Sequence, residues 1–143
     1  MPSPNTTLTQ AAPDATPSLG RSAAAVALGF LVMGGLAVAT DVALRGVGVF
    51  PAENAMTTPL LALAMAYRMG FTVAGAYVTA RFAPRKPLTH AVVLGFAGTV
   101  IALTGAAAVS RQAPGLTPTW YPLGIIGATL PCAGLGGILR VRQ

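Results

Sequence analysis

The sequence predicts an all-α fold, a four-transmembrane-helix bundle. Three observations carry that prediction. Charged residues make up 8% of the 143-residue chain, whereas soluble domains carry about 25%. Hydrophobic residues make up 54%, and they fall into four stretches, each near the ~20 residues that cross a ~30 Å hydrocarbon core as a helix. Those stretches run on without alternating, which argues against a membrane β-barrel built from strands of about ten residues. Nine bases and three acids cannot cover a water-facing surface, so most of the surface is expected to face lipid.

The elements follow in order. The first twenty residues, MPSPNTTLTQAAPDATPSLG, are rich in Pro, Ser and Thr and lack hydrophobic periodicity. They read as a disordered cytoplasmic tail. The first helix is expected over residues 22–44. Its Ala37-Val38-Ala39 has the small-x-small pattern of a signal-peptide cleavage site. The run is longer than a usual h-region and follows a long polar tail, so a retained span is expected. The second helix is expected over residues 56–80, the third over 88–109 and the fourth over 120–139. Trp120 and Tyr121 then fall at a helix end, as in an aromatic belt, and Pro122 suits a first turn. Pro131 removes a backbone donor from the last helix and is expected to kink it.

Loop charges set the orientation. One side collects Arg21, Arg81, Arg85, Lys86, Arg140 and Arg142; the other holds Arg45 and Arg111 with Asp41 and Glu53. The positive-inside rule places both termini in the cytoplasm. The +6 charge is thereby read as a topology signal rather than as nucleic-acid binding. Eight of the nine bases are Arg, and Ala and Gly abound, which fits a high-GC bacterial source and an inner-membrane location.

Small residues recur every four positions: Ala62, Ala66, Gly70 and Ala74; Gly98, Ala102, Ala106 and Ser110; Gly124, Ala128, Cys132 and Gly136. Such stripes let helices approach closely in lipid. The halves also echo each other. AVALGF (25–30) matches AVVLGF (91–96), and AGAYVTAR (74–81) matches AGLGGILR (133–140). Two duplicated helical hairpins would give this order, and so would the biased composition alone.

Arg68 is the residue that most needs explaining. It lies ten residues past Thr58, or about 15 Å along a helix, near the middle of the second span. It cannot deprotonate, and its burial in lipid costs at least about 2.5 kcal/mol. Two readings stand. In one, Asp41 pairs with Arg45 at i+4 and Arg68 snorkels to water, carbonyls or lipid phosphate. In the other, Arg68 and Asp41 face one polar cavity with Tyr67, Thr72, Tyr77 or Glu53 nearby. Such a site would suit an anionic ligand or lipid headgroup.

The reactive inventory is thin. The chain lacks phosphate-loop, HExxH and GxSxG patterns, and its single Cys132 and single His90 cannot form a zinc set. Cys132 reads as a packing residue, His90 as an interfacial one, and Glu53 as solvated. A proton antiporter of the small multidrug-resistance type is disfavoured, because the central ionisable group does not titrate.

The run AYRMGFTVAGAYVTARFAPRKPLTHAVVLGFAG, with WYPLGIIGATLPCAGLGGILR, resembles a group of small four-helix membrane proteins of proteobacteria with no assigned activity. The motifs are Ala66-Tyr67-Arg68, Ala83-Pro84-Arg85-Lys86-Pro87 and Trp120-Tyr121-Pro122. The resemblance covers the four-helix region and implies a fold and a compartment. The leading functional expectation is a non-catalytic protein, without cofactor or metal, that packs with a second copy or another membrane protein. The alternative is a carrier or channel subunit for an anionic or lipid-like solute at Arg68.

Overall fold

The computed structural model describes residues 19–51, 56–112, 115 and 117–143. It consists of four helices: α1 (Leu19–Gly46), α2 (Thr58–Phe82), α3 (Pro87–Gln112) and α4 (Trp120–Val141). All four are long and apolar enough to cross a membrane. The helices have no polar face to turn to water: Leu31, Val42, Phe96, Ile101, Leu123 and Leu135 are all exposed on the outside. A helix that is apolar all round belongs in a core or a bilayer, and this fold is that of a multi-pass membrane protein.

Helix ends follow local chemistry. Pro59 stands in the first turn of α2, after Thr57 at the N-cap position, so α2 begins at 58 rather than 56. Pro87 opens α3, where its missing N–H is not needed. After α1 the chain turns through Gly48 at φ +76°, and Val49 and Phe50 both donate to the Leu44 carbonyl. The helices exceed the expected spans by one to three residues at most ends, because regular backbone bonding persists past the apolar stretch. Leu19 and Gly20, assigned to the tail by composition, already belong to α1. The rest of that expected tail, 1–18, and Glu53 lie outside the described residues. α4 runs through Pro131 and on to Val141 without a break.

The helices form a ring in the order α1, α2, α4, α3. Contact is extensive between α1 and α2, α2 and α4, and α3 and α4; α1 meets α3 only sparsely and does not approach α4 among the described residues. Glycines set the tight crossings. A Cβ on Gly75 would stand 2.6 Å from the Gly29 carbonyl oxygen of α1, and one on Gly136 2.8 Å from the Ala76 Cβ of α2. One on Gly95 would stand 2.6 Å from the Ala133 Cβ of α4. Only residues without Cβ allow such approaches, the main source of helix attraction where lipid is as apolar as Leu.

The three small-residue stripes have different fates. That of α4 meets α2 at Gly124 and Gly136. That of α3 faces inward at Gly98, Ala102 and Ala106. The stripe of α2 is a correction: Ala62, Ala66 and Gly70 are exposed, and the packing face of α2 is instead Leu61, Ala64, Thr72, Gly75, Ala76 and Thr79. Ala and Gly are common on every face of this helix, so spacing alone does not identify the packed one.

The hydrophobic core, Ala76, Ala80, Ala91, Leu94 and Ala133 with Val26 and Phe30 against it, fills the half of the bundle nearest the α2–α3 loop. That half carries the basic loops. In the other half, α1 has no buried residue after Gly29, α3 none after Gly95 and α4 none before Thr129. The bundle is packed more closely at its basic end and more loosely at the other, where Leu61 and Ala64 of α2 and Phe50 are still buried.

The echo between halves has a structural counterpart. Gly29 and Gly95 hold matching places in the two segments, and each seats its helix against its hairpin partner. The match is partial. A two-fold relation would pair an α1–α4 contact with the α2–α3 contact, and only the second is present.

Candidate functional site

Asp41 and Arg68 meet in the looser half. Antiparallel packing of α1 on α2 sets the final turns of α1 beside the first half of α2. Helical side chains lean toward their own N-terminus, so the Arg68 guanidinium reaches from mid-helix toward Asp41. Its Nη2 donates to Asp41 Oδ2 at 2.5 Å. The Tyr67 hydroxyl donates to the other carboxylate oxygen, Oδ1. Thus both oxygens are bonded by neighbouring residues of α2. The side chains of Arg68 and Asp41 are 36% and 27% exposed, so the pair is neither solvated nor sealed. Tyr67 also packs its ring against Phe71 at 5.6 Å.

The expected i,i+4 pairing of Asp41 with Arg45 is not made. Arg45 Nη1 donates instead to the Pro51 carbonyl, at a long 3.4 Å. Thr72 is buried nearby and its hydroxyl donates to the Arg68 carbonyl at 2.9 Å, so it lines the site without needing another partner. Tyr77 is placed elsewhere. It lies nine residues further along α2, and its hydroxyl donates to Gln143 Oε1 at 2.7 Å, at the basic end. The structure therefore brings together Arg68, Asp41, Tyr67 and Thr72 and leaves Tyr77 out.

Two cavities adjoin Arg68, and the first also touches Asp41. The first, about 370 Å³, opens between α1, α2, α3 and α4; its wall includes Asp41, Arg68 and Thr72 with Met33, Ile101 and Thr129. The second, about 390 Å³, lies toward the loop before α4 and is lined by Arg68 with the hydroxyl residues Ser110, Thr117, Thr119 and Tyr121. Arg68, Ile101, Ala102 and Ile125 belong to both walls. Each volume lies in the range of small-molecule sites, about 300–1,000 Å³. Arg68 thus stands between two mainly apolar spaces, a chamber within the bundle and a vestibule toward the loop that also carries four hydroxyl residues. Arginine has five N–H donors; Arg68 Nε is buried without a hydrogen-bond partner among the described residues.

No family model matches the chain, and neither a curated protein nor a solved structure matches it.

Sequence reasoning missed Tyr121 as a wall residue of the vestibule, and Met33, Ile101 and Thr129 as walls of the chamber. One signal was readable. Phe30, Met33, Ala37 and Asp41 recur at three- and four-residue spacing, which places them on one face of α1. The cluster has no echo in the second hairpin: the internal register sets Ala107 against Asp41 and Gly127 against Arg68.

Proposed function

We propose that this protein is a non-catalytic carrier or channel subunit of the bacterial inner membrane, both termini in the cytoplasm, that binds an anionic or lipid-like solute at Arg68. One observation carries the reading: Arg68 is on the wall common to both cavities, with guanidinium donors beyond the one given to Asp41. A planar guanidinium fork matches carboxylate and phosphate oxygens, and the chamber beside it is walled mainly by apolar side chains. A head at Arg68 and an apolar body in the chamber would use both. The test is calorimetric titration of the purified protein in nanodiscs with laurate and with dodecyl phosphate. Wild type binds at least one of them, and Arg68→Ala loses about tenfold or more, or ~1.4 kcal/mol. Equal binding by Arg68→Ala removes Arg68 from the site. Arg68→Lys, which keeps the charge but not the fork, is intermediate.

A second reading rests on a separate observation. Ala62, Ala66 and Gly70 form an outward stripe on α2, and a Cβ at Gly70 would meet nothing within 4 Å. A second copy or another membrane protein is a natural occupant of such a face. Crosslinking in native membranes at normal expression tests it. A dimer lost in Gly70→Leu supports association through this stripe; only monomers in wild type would count against it.

A further inference from the structure

α1 packs on α2, with a buried crossing in its first half and the Asp41 bonds as a second anchor in its last turns, and Phe50, just past its end, is buried as well. Its buried residues, Ala25 and Gly29, lie in its first half, where Gly29 crosses Gly75 and Thr79. Beyond that crossing α1 has no buried residue, meets α3 sparsely and does not reach α4. Its polar attachment there is Asp41, bonded to Tyr67 and Arg68. Between the two anchors stand Gly34 and Gly35. A Cβ on either would meet nothing within 4 Å, so close packing does not account for glycine at these positions. Each weakens a helix by about 1 kcal/mol relative to alanine, and paired small residues of this kind are where helices bend. The apolar chamber lies directly behind this segment, with Gly34, Ala37 and Asp41 in its wall on α1 and Ile101 and Ala102 facing them from α3.

We infer that the second half of α1 is a lateral gate, hinged at Gly34–Gly35 and latched by Asp41 on Arg68, and that a single-chain amphiphile with an acidic head opens it. This rests on the reading that Arg68 takes an acidic head. Asp41 now takes Nη2, one of the donors on which such a head would draw. A carboxylate or phosphate arriving from the membrane exchanges with Asp41, so Arg68 keeps an anionic partner throughout, as a cation at this depth must. The displaced Asp41 has a partner waiting. Arg45 is four residues on, along the same face of the same helix, and among the described residues it is held in the closed form by its long bond to Pro51. The sparse α1–α3 contact gives the tail its route from lipid into the chamber. A ligand opens the gate only by the difference in its affinity for the two forms, and competition with Asp41 supplies that difference.

The experiment uses the full chain in nanodiscs on a Cys132→Ser background, with spin labels on Ala43→Cys of α1 and Leu103→Cys of α3, both exposed positions. Double electron–electron resonance reads their separation, and calorimetry reads binding. Laurate and dodecyl phosphate are each expected to move the distribution to a longer distance, while the neutral methyl laurate leaves it in place. An effect of laurate alone assigns the head as a carboxylate, and one of dodecyl phosphate alone as a phosphate. Asp41→Asn is expected to show the longer distance without ligand and to bind tighter than wild type, since its competing anion is gone; a merely structural contact would bind weaker. Gly35→Ala, which touches neither cavity wall nor neighbour, is expected to bind about fivefold weaker, or ~1 kcal/mol, because a stiffer α1 is harder to open. Binding that depends on Arg68 with no change in distance in any form would overturn the gate and leave the site standing. Movement by methyl laurate as large as by laurate overturns the exchange at Arg68. Absence of binding by both acidic probes to wild type overturns the site and the gate together. Should Asp41→Asn not fold, Gly35→Ala and the wild-type titrations still decide.

Discussion

A guanidinium near the middle of a span has to be held, and Arg68 is held by a carboxylate that is itself held by Tyr67. Losing either charge strands the other in a half-buried, low-dielectric setting, which costs more than the pair's net contribution. Arg68→Ala and Asp41→Ala are each expected to destabilise the bundle by about 2–3 kcal/mol, and the double variant by less than their sum. Denaturation in mixed detergent micelles around the double-mutant cycle checks this; strict additivity would mean the two residues do not share one interaction. Tyr67→Phe removes a single hydrogen bond to a charged group and should cost about 1.5–3 kcal/mol at most. Arg45→Ala should leave stability within about 0.5 kcal/mol, because its long bond to Pro51 is exposed. The presence of a mid-span cation was legible from position and hydropathy. Its partner was not, because Arg45 at i+4 and Arg68 across the helix pair were both within reach of Asp41 on spacing alone.

At the scale of the helix, two kinds of glycine separate cleanly. Gly75 lies where α1 and α2 touch backbone to backbone, whereas Gly70, five residues earlier, faces outward with open space around it. Gly75→Ala therefore forces the helices apart and should destabilise by about 1–3 kcal/mol. Gly70→Ala should be neutral or slightly stabilising, since alanine is the better helix former by about 1 kcal/mol. Thermal unfolding of the two variants side by side tests the assignment, and an equal loss in both would mean the packed face of α2 is misplaced. The four spans themselves could be read to within one to three residues at most ends, because length and hydropathy dictate them. Which stripe of small residues is buried could not, since a helix with Ala or Gly on every side presents several equivalent stripes. Burial is then decided by the neighbours' shapes: Gly29 and Met33 of α1 and the Ala133–Gly137 turn of α4.

Across the whole molecule, the bundle is asymmetric along the membrane normal. The Ala- and Gly-rich crossings pack the end with the basic loops more closely, and the cavities gather at the other. If the basic end faces the cytoplasm, as the loop charges imply, the site opens toward the outer leaflet. Thiol labelling from outside intact cells checks that orientation: a Cys at Thr117 reacts and one at Arg85 does not. Replacing Arg81, Arg85 and Lys86 together with neutral residues should weaken the bias and yield a mixed topology. Reaction at Arg85→Cys in otherwise native protein would invert the orientation and turn the site toward the cytoplasm.

What the sequence by itself determined is the solvent, the number of spans and the depth of one charge. Those depend on local length and polarity, which each segment carries alone. What only the tertiary structure decided is that Asp41 bonds Arg68 rather than Arg45, that Tyr77 belongs to the other end with Gln143, and that the unfilled space lies behind the second half of α1. Those facts depend on how antiparallel helices register against one another. In a chain of near-uniform Ala, Gly and Leu spans, register is set by where two backbones can touch, a property of pairs of helices that neither sequence shows alone.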